Sequence, residues 1–214
     1  MKKIILPLLA ITLSISSCKK AEEEKTEPAQ TTPETVIEET VEITPDSAAV
    51  AKAFEDYMMP SKAHEMLAKD TGTWDSELIF WMPDNPEPMK STIVVNYNMI
   101  LGGRYQEGIH KGKVWGQDFE GRALVAYDNA TNQFISTWID NMGTGIAVTK
   151  GTYDEASKTM TLTGTMVDPV TKKEKNVKEI ITYTDDANQK MEMFDVNSEG
   201  KETKTMEVIS KKRK

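Results

Sequence analysis

The feature that most constrains the fold is a series of ten short segments, from Gly72 onward, in which apolar and polar residues alternate. Short turns rich in Gly, Asn, Asp and Pro separate these segments, as expected for strands joined one to the next. Such an antiparallel meander removes its exposed edges by closing on itself. We therefore predict a mainly β fold, an antiparallel up-and-down β-barrel. The predicted strands are 73–82, 90–100, 103–111, 118–127, 133–140, 144–154, 159–167, 175–184, 189–196 and 203–210.

Two short helices are predicted before the first strand. Asp46 or Ser47 can cap a helix over 48–59, which Pro60 ends, and Ser61 can cap a second helix over 62–69. The apolar residues of the second helix indicate that it lies on another part of the fold. We expect both helices to lie over one mouth of the barrel, so that residues 47–214 form a single β-barrel domain.

The first 17 residues have the layout of a secretory signal peptide, with Lys2 and Lys3 followed by an apolar stretch and small residues. They lead to Cys18, the only cysteine in the chain, in a context that resembles a bacterial lipobox. An uncleaved transmembrane anchor is the alternative, but the apolar run is shorter than the roughly 20 residues that a spanning helix needs. We predict a lipoprotein signal peptide at 1–17 and a lipid anchor on Cys18 that attaches the protein to a membrane.

Residues 18–46 contain nine acidic residues and no aromatic residue. Such a segment buries too little apolar surface to offset its ordering entropy, so we predict a disordered acidic tether. Its start, Lys19-Lys20-Ala21-Glu22-Glu23-Glu24, resembles the export signal of Bacteroidetes lipoproteins, and a generic charged linker is the alternative. The resemblance predicts an outer membrane lipoprotein, on the cell surface or the periplasmic face. The net charge of −8 makes nucleic acid a poor partner.

Several motifs between His64 and Ile146 resemble one family of unknown function. The chain is identified as a member of the "domain of unknown function 1579" family over residues 60–210. That family is calycin-like, related in shape to lipocalins, and its biochemical role is not established, so the resemblance implies a fold and no activity. The motifs are His64-x-x-Leu67-x-x-x-x-Gly72-x-Trp74, Leu101-Gly102-Gly103-Arg104-Tyr105, Gly116-Gln117-x-Phe119-Glu120-Gly121, Tyr127-Asp128-Asn129 and Ser136-Thr137-Trp138-Ile139-Asp140-Asn141-Met142.

A barrel of this size either fills its interior with side chains or holds one small ligand. If the face of strand 133–140 that carries Trp138 points inward, Asp140 lies at the inner end of a cavity, with Arg104 as the candidate charge partner. The alternative is a structural Arg104–Asp140 pair near the rim. The candidate ligand-binding residues are Arg104, Tyr105, Tyr127, Trp138 and Asp140. The favoured function is binding of a small, mostly apolar ligand, and the alternative is a filled barrel that acts as a surface interaction protein.

The remaining motifs favour no catalytic residue, metal site or cofactor. His64 is expected to cap or pack a helix, and His110 to be exposed at a strand end. A haem could use one histidine, as in a related haem-binding barrel family, but neither histidine is marked as an axial ligand. The pair Met191 and Met193 could suggest copper(I), but it alternates as core strand residues do. No nucleophile elbow or metal-ligand spacing is present, so an enzyme is the less favoured reading.

Overall fold

The computed structural model describes residues 46–83 and 85–214 of the 214-residue chain. The predicted signal peptide 1–17, the predicted lipidation site Cys18 and the predicted tether 18–46, except for Asp46, lie outside the described residues. In the part of the chain that the structure describes, no helix has the length and apolar character needed to span a membrane.

Ten antiparallel strands form one closed ring, which confirms the predicted up-and-down barrel. Each strand pairs with its neighbours in the chain, and β1 pairs with β10 to close the barrel. Because every strand pairing lies within 72–212, the segment 46–214 contains a complete barrel. The strands are β1 Gly72–Phe80, β2 Met89–Ile100, β3 Tyr105–Val114, β4 Gln117–Asp128, β5 Gln133–Asp140, β6 Ala147–Asp154, β7 Thr159–Val167, β8 Glu174–Asp185, β9 Asn188–Val196 and β10 Glu202–Lys212.

Two helices precede the barrel, and the second one closes an end of it. Helix α1 (Ser47–Met58) begins at Asp46, whose carboxylate accepts the backbone N–H of Ala49 at 2.8 Å, and none of its residues is buried. Helix α2 (Lys62–Ala68) inserts Leu67, which is only 1% exposed, into the barrel end. The two predicted helices are therefore present before the barrel, and α2 is the one that lies over its mouth, since its side chains enter the barrel.

Helix α2 is held by its own capping residues. The backbone N–H of Ser61 donates to Nδ1 of His64 at 2.9 Å, and this arrangement forms a capping box in which the histidine takes the usual place of glutamate. The capping and packing role predicted for His64 agrees with these contacts.

Alternation along the strands places apolar residues inside the barrel. Met160 and Leu162 point inward and are almost fully buried, while Thr161 between them and Thr163 after them lie on the outer face. Two apolar clusters result. One contains Trp74, Leu78, Ile93, Val95 and Val114, and the other contains Leu67, Phe134, Met160 and Leu162.

Gly151 provides a test of how closely β6 and β7 approach. A Cβ atom at this position would overlap the backbone carbonyl oxygen of Thr161 on β7. We expect Gly151→Ala to lower the free energy of unfolding by about 1–3 kcal/mol, because the two strands must separate locally. Gly145→Ala is the control, because no described atom beyond its chain neighbours lies within 4 Å of the added Cβ, and it should change stability by less than about 0.5 kcal/mol. Chemical denaturation of both variants measures the difference, and equal stability would contradict the strand geometry.

Candidate functional site

The barrel encloses a cavity of about 550 Å³, which is within the usual size range of small-molecule sites. Most of its wall is apolar, because the inward-facing residues of nearly every strand are aliphatic, aromatic or methionine side chains. Among the described residues, no lysine or arginine lines the cavity. The interior is therefore hollow, apolar and without a cationic side chain. Representative lining residues are Leu78, Ile93, Val95, Phe119, Leu162 and Met191.

Helix α2 and the residues after it form the closed end of the cavity. Gln106 on β3 donates its amide N–H groups to the carbonyl oxygen of Leu67 at 2.7 Å and to the carboxyl group of Asp70 at 3.2 Å. The indole N–H of Trp74 donates to the carbonyl oxygen of Asp70 at 2.7 Å. Burial raises the pKa of Asp70 to about 6, while the hydrogen bond from Gln106 acts in the opposite direction. These bonds fix the floor of the cavity.

His110 lies on the cavity wall, so the prediction that it is exposed at a strand end was wrong. Strand β3 continues past His110 to Val114. The lysines on either side of Gly112 point to the outer face of the barrel, opposite to the His110 side chain. The imidazole lies edge-on to the rings of Tyr97 and Trp138, with centroid distances of 6.0 and 4.8 Å. Its Nε2 atom is buried and has no hydrogen-bond partner among the described residues. Burial lowers the pKa of His110 to about 4, so the ring is neutral near pH 7.

Glu179 on β8 is a second buried polar group that the sequence analysis did not single out. Its carboxyl group lines the cavity and accepts a hydrogen bond from the hydroxyl of Thr149 at 3.0 Å. Burial raises the pKa of Glu179, and the hydrogen bond from Thr149 opposes this shift. The signal that could have found it is an acidic residue on the same strand face as Val177 and Ile181, which is the inward face.

Two of the five predicted ligand-binding residues, Trp138 and Asp140, lie on the cavity wall. The indole N–H of Trp138 donates to one carboxylate oxygen of Asp140 at 2.7 Å, and the backbone N–H of Met142 donates to the other at 2.9 Å. Gly121 makes room for the indole, since a Cβ there would approach the ring to 2.5 Å. Asp140 is therefore satisfied by its own strand and the loop that follows.

The other three predicted residues lie off the cavity. Arg104 belongs to the turn before β3 and donates to the carbonyl oxygen of Met58 at 2.7 Å, at the end of α1. Because successive turns lie at alternate ends of the barrel, this turn and Asp140 lie at opposite ends, and the predicted Arg104–Asp140 pair is not formed. Tyr105 precedes the inward-facing Gln106 and so points outward. Tyr127 packs against Phe134 and His64 beneath α2, with ring centroids 4.8 and 5.8 Å apart.

Comparison with known families agrees with this barrel. A family model described as a protein of unknown function, DUF1579, matches residues 59–212. The chain belongs to the DUF1579 family. The predicted membership, over residues 60–210, is confirmed. No curated protein matches this DUF1579 chain.

One solved structure supports the same fold. The DUF1579 chain resembles the crystal structure of Rv2717c from M. tuberculosis with a TM-score of 0.53 and 11% identity, over 73% of this chain and 100% of that one. It also matches a redesigned β-barrel with a TM-score of 0.38 and 9% identity, over 69% of this chain and 95% of that one. The first likeness supports the barrel architecture.

The end of the DUF1579 barrel opposite α2 carries an apolar rim. The turns after β1, β3, β5 and β7 all lie at this end, because each strand reverses direction relative to the one before it. Four of their apolar side chains are between 45% and 63% exposed. These rim residues are Met82, Trp115, Met142 and Ile146.

The methionines of β9 also face the cavity of the DUF1579 barrel. Met191 and Met193 line the wall, in agreement with the predicted inward alternation. In the described part of the chain, no group of three or more His, Cys, Asp or Glu side chains is placed to hold a metal ion. Because Met191 and Met193 line the cavity, their thioethers contribute a soft, adaptable apolar surface to it.

Proposed function

We propose that this DUF1579 protein binds a small, mostly apolar ligand inside its barrel, and that a lipid on Cys18 anchors it to the outer membrane, at the cell surface or the periplasmic face. The observation that carries the ligand-binding proposal is the cavity of about 550 Å³ with its largely apolar wall. Burial of apolar ligand surface against such a wall supplies the binding free energy, and the few polar groups orient the ligand.

Small residues at inward positions keep the barrel hollow. Ala123 and Ala147 flank Trp138 on the neighbouring strands and line the cavity. Gly108 and Gly121 also face inward on β3 and β4, where they admit the rings of Tyr97 and Trp138. Large aliphatic residues at these positions would favour the alternative function, a filled barrel that acts only through its outer surface. The apolar rim is the observation that favours that alternative.

A cavity-filling substitution tests ligand binding directly. Ala147→Trp places a large ring in the cavity, whereas Val148→Trp places the same ring on the outer face of the same strand, where Val148 is 45% exposed. The fluorescent apolar probe N-phenyl-1-naphthylamine, added to residues 46–214, should bind the unmodified protein. We expect Ala147→Trp to weaken binding by about tenfold or more, because overlap between the introduced ring and the probe costs about 1–3 kcal/mol of binding free energy.

The control should leave the probe affinity unchanged, and thermal unfolding verifies that both variants remain folded. Equal affinities for the two variants would place the probe outside the barrel and contradict the proposed function. An absence of probe binding to the unmodified protein would favour the filled-barrel alternative.

The Nε2 atom of His110, which has no hydrogen-bond partner in the described part of the chain, favours a second candidate function, the binding of a haem group. The imidazole of His110 is neutral and belongs to the cavity wall, and its Nε2 atom, packed beside Gly108, would ligate iron only after the ring turns toward the cavity. The charges of the site fit less well, because haem propionates need cationic or hydrogen-bond-donating partners, and the described lining residues include no lysine or arginine. Titration with haemin, followed by visible absorption and repeated on His110→Leu, tests this candidate. A Soret band that forms with the unmodified protein and is lost in His110→Leu would favour haem binding over the binding of another apolar ligand.

A further inference from the structure

Three carboxyl groups line the cavity, and no described lysine or arginine accompanies them there. Asp70 lies at the floor, Asp140 near the open end, and Glu179 on the wall formed by β8. A low-dielectric interior strengthens the potential that such groups create. The cavity therefore favours positive charge and disfavours negative charge in whatever occupies it.

The three carboxyl groups differ in how well the protein satisfies them. Asp140 accepts hydrogen bonds on both oxygens. Asp70 accepts one hydrogen bond, from Gln106, and the positive charge of Lys212 also acts on it. Within the described chain, Glu179 accepts only the neutral hydroxyl of Thr149 on Oε2, and no donor contacts its Oε1 atom. A buried carboxylate is costly unless a cation or several donors compensate it. Glu179 is therefore the group that a ligand can satisfy.

We propose, building on the ligand-binding function above, that the cavity accepts an apolar molecule with one cationic nitrogen, a protonated amine or a quaternary ammonium group, that lies against Glu179. The apolar part of the ligand contacts the aliphatic and methionine wall, and the nitrogen interacts with the carboxylate.

The neighbours of Glu179 are consistent with a cation. Burial raises the pKa of the Tyr97 and Tyr183 hydroxyls, and the negative charges of Asp70 and Glu179 act in the same direction. A phenol carries no positive charge in any protonation state, so the two tyrosines cannot balance the carboxylates as cations. Aromatic rings also attract cations through their faces, and Trp138 and Phe119 line the same cavity. An anionic ligand such as a fatty acid would face these carboxyl groups, and no described lysine or arginine lines the cavity to compensate its charge.

Three probes of equal chain length separate the charge of the ligand from its apolar surface. Decylamine, decanol and decanoic acid are each titrated into residues 46–214 near neutral pH, and displacement of N-phenyl-1-naphthylamine gives their affinities. The titration is repeated on Glu179→Gln, which keeps the size of the side chain and removes its charge. Glu174→Gln is the matched control, because it makes the same change of net charge at an exposed position of the same strand.

We expect decylamine to bind about tenfold or more tightly than decanol, because a charged hydrogen bond in a buried site is stronger than a neutral one. Decanoic acid should bind most weakly. Glu179→Gln should remove the preference for the amine and leave decanol unchanged, and Glu174→Gln should behave like the unmodified protein.

Two results separate this inference from the function on which it rests. Equal binding of amine and alcohol, or an amine preference that survives in Glu179→Gln, overturns the cationic ligand and leaves apolar ligand binding intact. If none of the three probes binds, the proposed function itself fails. Thermal unfolding of Glu179→Gln verifies that its fold is preserved, and the comparison of the three probes on the unmodified protein does not depend on any variant.

Discussion

Replacing Trp74 with alanine is expected to lower the free energy of unfolding by about 3–5 kcal/mol, the range typical of a fully buried tryptophan. Trp74 is 1% exposed and belongs to the apolar cluster with Leu78 and Val95. Its indole N–H also donates to the carbonyl oxygen of Asp70, and the ammonium group of Lys212 lies 5.6 Å from the ring centroid. The substitution therefore leaves a cavity, an unpaired carbonyl and a loosened floor beneath α2.

Urea denaturation measures this loss, and Trp115→Ala provides the control. Trp115 is 46% exposed at the turn after β3, so its removal should cost about 1 kcal/mol or less. Similar losses for the two variants would mean that the end of the barrel closed by α2 does not depend on Trp74.

His110 is expected to make the folded state less stable as the pH falls. In the unfolded chain the imidazole binds a proton near its ordinary pKa of 6.5, whereas burial holds the pKa in the folded protein at about 4. Between these values the unfolded state carries the extra proton, so stability decreases on acidification. Between about pH 7 and pH 5 this loss amounts to about 2 kcal/mol.

Asp70 and Glu179 act in the opposite direction, because their pKa values are raised in the folded protein. The folded state binds their protons first, and it gains stability as the pH falls toward the ordinary carboxyl range. For Asp70 this gain develops below about pH 6. In the unmodified protein, the histidine and the carboxyl contributions therefore partly cancel.

The His110→Leu variant separates these contributions. When the pH is lowered from about 7 to 5, the variant should avoid the loss of about 2 kcal/mol of stability that His110 causes in the unmodified protein, because only the carboxyl contributions remain. Chemical denaturation at both pH values gives the comparison. An identical pH dependence in the two proteins would show that His110 is not buried as a neutral group.

The strand pattern could be predicted from the sequence because each strand satisfies local rules. Alternating residues and turn residues define ten segments whose observed bounds differ from the predicted ones by a few residues. The largest differences are at β3, which begins at Tyr105 and ends at Val114, and at β6, which begins at Ala147. Before β3, Gly102 and Gly103 have positive φ angles and extend the turn. A run such as Lys111-Gly112-Lys113 resembles a turn in sequence, yet it continues β3 with its lysines outward.

The cavity was harder to predict, because it depends on which strand face points inward and on which residues meet across the ring. The inward direction of Trp138 and Asp140 follows from alternation. The position of Arg104 does not, since a turn residue escapes alternation and here contacts α1. The roles of Glu179 and Asp70 as buried cavity carboxyl groups depend on packing against distant strands. Thr149 donates a hydrogen bond to Glu179, and Gln106 donates one to Asp70. Their partners are 30 and 36 residues away along the chain, and single-strand patterns do not show such pairs.

Native mass spectrometry of the protein isolated from its own host tests the central claim, that the barrel is a hollow carrier of a small ligand, most directly. We predict a complex of one chain with one small molecule that dissociates on denaturation, and whose adduct is lost in Ala147→Trp but retained in Val148→Trp. A bare polypeptide mass in both variants and in the unmodified protein, repeated across growth conditions, would contradict ligand binding and favour a barrel that acts through its outer surface.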